Sequence, residues 1–162
     1  MINVAIVDDS AVVRQVLSSM LANQPDITLL GCARDPLFAL KLFEQQWPDV
    51  IILDIEMPVI NGFDFLDGLK VKPQIIFITS KADYAVKAFD YDATDYLQKP
   101  ISVDRFDSSV KRAIELHKLR HEVTEEEGDY IFIKSNLKKL KVFTSKIKWI
   151  EAYGDYVKVV TD

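Results

Sequence analysis

Val50-Ile51-Ile52-Leu53-Asp54 sets four apolar residues directly before a carboxylate. A run of this kind, without polar alternation, suits a strand covered by helices on both faces. Ile75-Ile76-Phe77-Ile78 repeats the pattern and leads into Thr79-Ser80. Outward from this pair, residues 3–7, 27–32 and 95–97 are further strand candidates, separated by helix-length amphipathic stretches. Ser10 can cap a helix over 11–21, and Asp35-Pro36 offers an N-cap with proline at the first helical position. Further helices are expected near Gly62, over 82–89, and after Ser102, where Val103, Phe106, Val110, Ala113 and Ile114 recur at three- and four-residue intervals. The alternation predicts an α/β fold, a doubly wound parallel sheet of five strands with five helices.

The chain has 162 residues, 49% of them hydrophobic and 28% charged, the balance of a globular protein. No apolar run approaches the roughly 20 residues that span a bilayer, and the N-terminus lacks a basic n-region and a cleavage site, so no membrane association and a cytoplasmic location are expected. Cys32 is the only cysteine. That excludes an intrachain disulfide or a cysteine-based zinc site and predicts an inert core thiol. The net charge of -5 argues against a basic footprint over the whole surface.

Polar residues collect where the predicted strands end. Asp8-Asp9 follow the first strand, Asp54 the third, Thr79-Ser80 the fourth, and Lys99 the fifth. The carboxyl edge of an open α/β sheet is where ligands bind. Three carboxylates gathered there repel one another unless a cation joins them, and an all-oxygen site suits Mg²⁺. Acidic residues at strand ends also cap the helices that follow, so Asp8, Asp9 and Ser10 alone fit either role. The fuller set, with Glu56-Met57-Pro58, Asn61-Gly62, Tyr96 and Lys99-Pro100, points to a built site.

Through these residues the sequence resembles the response-regulator receiver family over about residues 1–121. The resemblance implies a flavodoxin-like receiver that accepts a phosphoryl group on Asp54 from a sensor histidine kinase, and that is a phosphoacceptor rather than an enzyme. It implies direct Mg²⁺ ligation by Asp9, Asp54 and the Glu56 carbonyl, with Asp8 acting through water. Thr79 and Lys99 would contact the phosphoryl group. Thr79, Tyr96 and a cis Lys99-Pro100 bond would form the switch, and phosphorylation would drive formation of a homodimer through the fourth helix, fifth strand and fifth helix. The interval from Glu56 to Thr79 is shorter than usual for the family, which predicts a short third helix.

Composition shifts at Thr124-Glu125-Glu126-Glu127-Gly128-Asp129, and residues 122–129 are read as a linker. Beyond it the period switches to two, over 130–135, 139–143, 147–152 and 156–161, with Gly154-Asp155 as a candidate hairpin turn. These about 35 residues are too few for a core of their own, which predicts part of an all-β domain. The run Ile150-Glu151-Ala152-Tyr153-Gly154-Asp155-Tyr156 resembles the opening of LytTR-type DNA-binding domains, assigning 130–162 to such a domain and promoter DNA to the intact protein. Lys134, Lys138, Lys139, Lys141, Lys146, Lys148 and Lys158 could contact phosphates or simply line the wet face of strands. Transcription control is the leading reading. The alternative is a receiver acting through protein partners, with the β segment as a docking appendage. An aspartyl phosphatase is disfavoured because Glu56, not aspartate, stands two residues after Asp54.

Overall fold

A computed structural model of the chain describes residues 1–125, 129–135, 138–154 and 156–161. It divides between Leu119 and Arg120 into two compact units.

In the first unit strands and helices alternate as β1 (Ile2–Val7), α1 (Ala11–Ala22), β2 (Ile27–Ala33), α2 (Pro36–Gln45), β3 (Val50–Asp54), α3 (Gly62–Asp67), β4 (Gln74–Thr79), α4 (Ala85–Asp90), β5 (Asp95–Gln98) and α5 (Val103–Glu125), whose last residues run past the unit's end at Leu119. The five strands form one parallel sheet in the order β2-β1-β3-β4-β5. β3 and β4 are buried along their whole lengths, as their unbroken apolar runs require. Alternate side chains feed two cores. Ala5, Val7, Ile51, Leu53 and Phe77 meet Ala39 and Phe43 of α2, Phe63 and Leu66 of α3, and Ala88 of α4. Val4, Ile6, Ile52, Ile76 and Ile78 meet Leu17 and Leu21 of α1 and Phe106, Val110 and Ala113 of α5. The sheet is therefore doubly wound, a flavodoxin-like fold.

Local chemistry sets the helix starts. Ser10 Oγ accepts the amide of Val13, Asp35 Oδ1 that of Phe38, and Asn61 Oδ1 that of Asp64. α3 is only 6 residues long, as the short interval predicts. The segment expected as one helix over 82–89 instead opens as a 3-10 turn, Ala82–Tyr84, before α4. No side-chain cap bond supports either start, so the tighter turn satisfies some of the free amides.

Two expectations need correction. Cys32 is exposed rather than buried: β2 is an edge strand, and the thiol faces outward within 3.2 Å of Ser18 Oγ. α5 runs on to Glu125, so the expected linker begins as helix. Glu126, Glu127 and Gly128 of that linker lie outside the described residues.

In the second unit, β6 (Tyr130–Ser135) pairs antiparallel with β7 (Lys138–Phe143), and β8 (Ile147–Tyr153) with β9 (Tyr156–Thr161). The two hairpins form separate two-stranded sheets. Thr144 ties the first one off, its amide and hydroxyl both donating to the Asp129 carbonyl at 2.7 Å. Gly154 has φ 53°, a left-handed conformation that favours glycine in a tight turn. Asp155, the other residue expected there, lies outside the described residues.

Candidate functional site

The carboxyl ends of β1, β3, β4 and β5 deliver the polar residues to one edge. Asp8, just past β1, is fully buried, and its Oδ1 accepts the Ser10 amide at 2.7 Å. Arg14 reaches back from α1 to the Asp8 and Asp9 carbonyls at 2.7 and 3.0 Å, fixing the turn that presents both carboxylates. Asp54, the last residue of β3, is 1% exposed, and its Oδ1 accepts the Glu56 amide at 3.1 Å. Asp8, Asp9 and Asp54 each offer a carboxylate oxygen within 4.8 Å of the others. Asp9 alone is exposed, so the cluster has one open side.

Lys99 follows β5 at the same edge. Its amide donates to the Thr79 carbonyl at 2.7 Å, and the Lys99-Pro100 bond is cis. Its ammonium stands 3.0 Å from Asp8 Oδ2 and 3.4 Å from Asp54 Oδ2. Among the described residues the Lys99 ammonium is the one polar partner of that buried oxygen. One ammonium against three carboxylates does not balance their charge. An all-oxygen donor set with this excess of negative charge fits a hard divalent cation such as Mg²⁺.

The electrostatics agree. Burial, then the neighbouring Asp8, pushes the Asp54 carboxyl up to about 7, and Lys99 only partly offsets this. Burial opposes the charge of Lys99, but Asp8 and Asp54 together hold its pKa above the ordinary lysine value. A bound cation would favour the ionised carboxylates.

A second set of contacts lies beside Asp54. The buried Thr79 donates its hydroxyl to Glu56 Oε2 at 3.4 Å, and the Ser80 amide donates to the same oxygen at 3.2 Å. Lys81 Nζ meets Glu56 Oε1 at 2.9 Å. The Lys81 ammonium, with the Ser80 amide and Thr79 hydroxyl, holds the Glu56 carboxyl below its usual value. Tyr96, half-buried on β5, donates its hydroxyl to the Lys81 carbonyl. The structure thus gathers Asp8, Asp9, Asp54 and Lys99 in one cluster and links Thr79 and Tyr96 through the 79–81 segment beside it.

Sequence reasoning assigned only the Glu56 carbonyl and missed its side chain. An acidic residue at 56 and a basic one at 81 carry no signal of pairing until β3 and β4 are known to be neighbours in register. Gly62 is explained by space: a Cβ there would stand 2.6 Å from the Asp54 carbonyl oxygen. The Gly62 amide instead donates to the Ile55 carbonyl at 2.9 Å, holding the loop after β3 against the strand end.

Comparisons with known proteins agree with this geometry. Residues 4–111, about two thirds of the chain, match the response regulator receiver domain family. Protein-glutamate methylesterase/protein-glutamine glutaminase 3 of Shewanella oneidensis is 65% identical over 106 residues, covering 62% of this chain and 30% of that protein. An uncharacterized response regulatory protein of Vibrio cholerae is 36% identical over 120 residues, covering 73% of this chain and 51% of that one. The matches therefore span between about a third and a half of these relatives. The crystal structure of the response regulatory domain of protein mrkE from Klebsiella pneumoniae superposes with a TM-score of 0.62 at 29% identity, covering 74% of this chain and 98% of that one. The fold, the carboxyl-edge cluster and the family match converge: the chain belongs to the response regulator receiver family.

Proposed function

We propose that Asp54 accepts a phosphoryl group from a sensor histidine kinase in the cytoplasm, and that the phosphorylated chain controls transcription through a LytTR-type output of which 130–162 is a part. The observation that carries the first half is the buried Asp54 carboxylate, 3.4 Å from Lys99 and clustered with Asp8 and Asp9. Asp9, Asp54 and the Glu56 carbonyl would hold Mg²⁺, with Asp8 behind them, and the chemistry the ion supplies is neutralisation of phosphoryl charge. The rest belongs to the chain. Asp54 is the nucleophile, aimed by the Glu56 amide at its Oδ1. Lys99 acts as a fixed point charge that steadies the added group, and Thr79 supplies a hydroxyl to a phosphoryl oxygen. The resulting acyl phosphate can hydrolyse, which suits a transient signal.

An apolar groove lined by Val12, Val13, Val16, Pro100 and Ile101 adjoins Lys99 and offers a docking face for the kinase. For the homodimer, α4 supplies Val86 and Phe89, 77% and 84% exposed. Paired charges on this face could set the register of the dimer, but within the chain Lys81 is engaged with Glu56, Arg105 with Asp95, and Lys87 over the Phe63 ring. That leaves Asp83, Asp90 and Asp92 for the role.

In the second unit Lys141 and Lys146 stand 4.3 and 5.4 Å from the Phe143 ring, and Lys158 stands 5.4 Å from that of Trp149. Basic side chains on these strands support phosphate contact in the intact protein. A second reading, a regulator whose output hydrolyses protein glutamate esters, is favoured by the methylesterase relative. The antiparallel hairpins after residue 129 weigh for the transcription reading.

Labelling by a small phosphodonor should require Mg²⁺ and disappear with a chelator, and labelling that ignores the chelator would count against the site. For the output, the protein should bind repeated promoter sites more weakly as salt rises and more tightly when phosphorylated, since a dimer engages two sites at once. Binding that ignores salt and repeat spacing would favour protein partners instead.

A further inference from the structure

Three donors converge on one carboxylate next to Asp54. The Thr79 hydroxyl and the Ser80 amide both reach Glu56 Oε2, and Lys81 Nζ reaches Oε1. Amide, hydroxyl and ammonium groups arranged around an oxyanion are the donor types that bind a phosphoryl group. Glu56 lies two residues beyond Asp54, its own amide donates to Asp54 Oδ1, and Thr79 and Asp54 both end neighbouring strands, so the donor set and the acceptor share one edge of the sheet.

Resting on the phosphoacceptor reading, we propose that the Glu56 side chain is a resident anion occupying a phosphoryl-oxygen subsite made by Thr79, Ser80 and Lys81, and that it must leave before transfer to Asp54. With a donor such as acetyl phosphate, an Asp54 oxygen bonds to phosphorus as the donor's P–O bond breaks, and acetate leaves with the electron pair. No proton is consumed. The incoming oxygens then need the donors that Glu56 holds, and the carboxylate itself repels them.

The same arrangement masks Lys81. While Glu56 is in place the ammonium is spent on it, and once Glu56 is removed it is free to meet the phosphoryl group. Tyr96 donates to the Lys81 carbonyl, so exchange of one anion for another at Lys81 acts on the residue that β5 presents to the switch surface. Glu56 is thus a gate on both transfer and its report.

The test compares wild type, Glu56→Gln, Lys81→Met and the double variant in the full chain, with Asp54→Asn as control. Two readouts are taken in the presence of Mg²⁺: the rate of labelling by acetyl phosphate, and the affinity for inorganic phosphate by calorimetry. Glu56→Gln removes the charge and should label roughly tenfold faster, the effect of freeing one charge-assisted hydrogen bond. It should also bind inorganic phosphate more tightly. Lys81→Met should slow labelling several-fold more in the Glu56→Gln background than in wild type, where its loss also loosens Glu56. That non-additivity is the signature of a shared contact. Equal Lys81→Met effects in both backgrounds, or unchanged rate and phosphate affinity in Glu56→Gln, would overturn the proposal. Equal labelling of wild type and Asp54→Asn would instead overturn the phosphoacceptor reading, and the phosphate affinities would still decide the fate of Glu56.

Discussion

Asp54 links the site to stability. Burial pushes its carboxyl up to about 7 from the ordinary 3.8. Between those values the folded chain holds a proton that the unfolded chain has released, so without Mg²⁺ stability falls as pH rises through the window from about 4 to 7. The full difference corresponds to at most about 4 kcal/mol. Asp54→Asn cannot titrate, so in metal-free buffer it should be more stable than wild type at pH 8 and show little advantage at pH 4, as measured by urea denaturation. A parallel pH dependence in both proteins would contradict the burial argument. Gly62 makes a separate prediction. Gly62→Ala forces a methyl against the Asp54 carbonyl oxygen, which should cost about 1–3 kcal/mol and slow labelling of Asp54.

Among the elements, α5 is held to β5 by a polar clamp. Arg105 meets both Asp95 carboxylate oxygens, at 2.7 and 2.8 Å, and Ser109 adds a further hydrogen bond. Burial raises the Asp95 carboxyl, yet the Arg105 and Ser109 hydrogen bonds outweigh it and hold it at about 2. Its stabilisation is therefore present above the unfolded value near 4 and lost as pH falls toward 2. Arg105→Ala should lower stability at pH 7 by about 1–2 kcal/mol, less than the shift implies because the guanidinium is half exposed to solvent, and by little near pH 2. Thermal melts at the two pH values would check this. The element pattern was legible because the unbroken runs at 50–53 and 75–78 admit only two-sided burial. The site was legible because strand ends carry its carboxylates and lysine. What escaped depends on neighbours distant in sequence: the outward face of edge-strand Cys32, and the pairing of Glu56 with Lys81 across 25 positions.

For the molecule as a whole, the two units differ in how their apolar surface is covered. The receiver sheet is sandwiched, whereas Phe132, Leu140, Trp149, Ile150 and Val157 of the β hairpins are exposed. Two-stranded hairpins of this kind are marginal in water. Amide hydrogen exchange should therefore be slowest in β3 and β4 and far faster in β6 to β9 when the protein is free. Equal protection in both units would show that the hairpins are covered by something further.

The central claim, a receiver that takes its signal on Asp54, is tested most directly by intact-mass measurement after incubation with acetyl phosphate and Mg²⁺. Wild type should gain the mass of one phosphoryl group and Asp54→Asn none. Equal gain in both proteins, or none in either under conditions where Mg²⁺ binding is demonstrated, would contradict it.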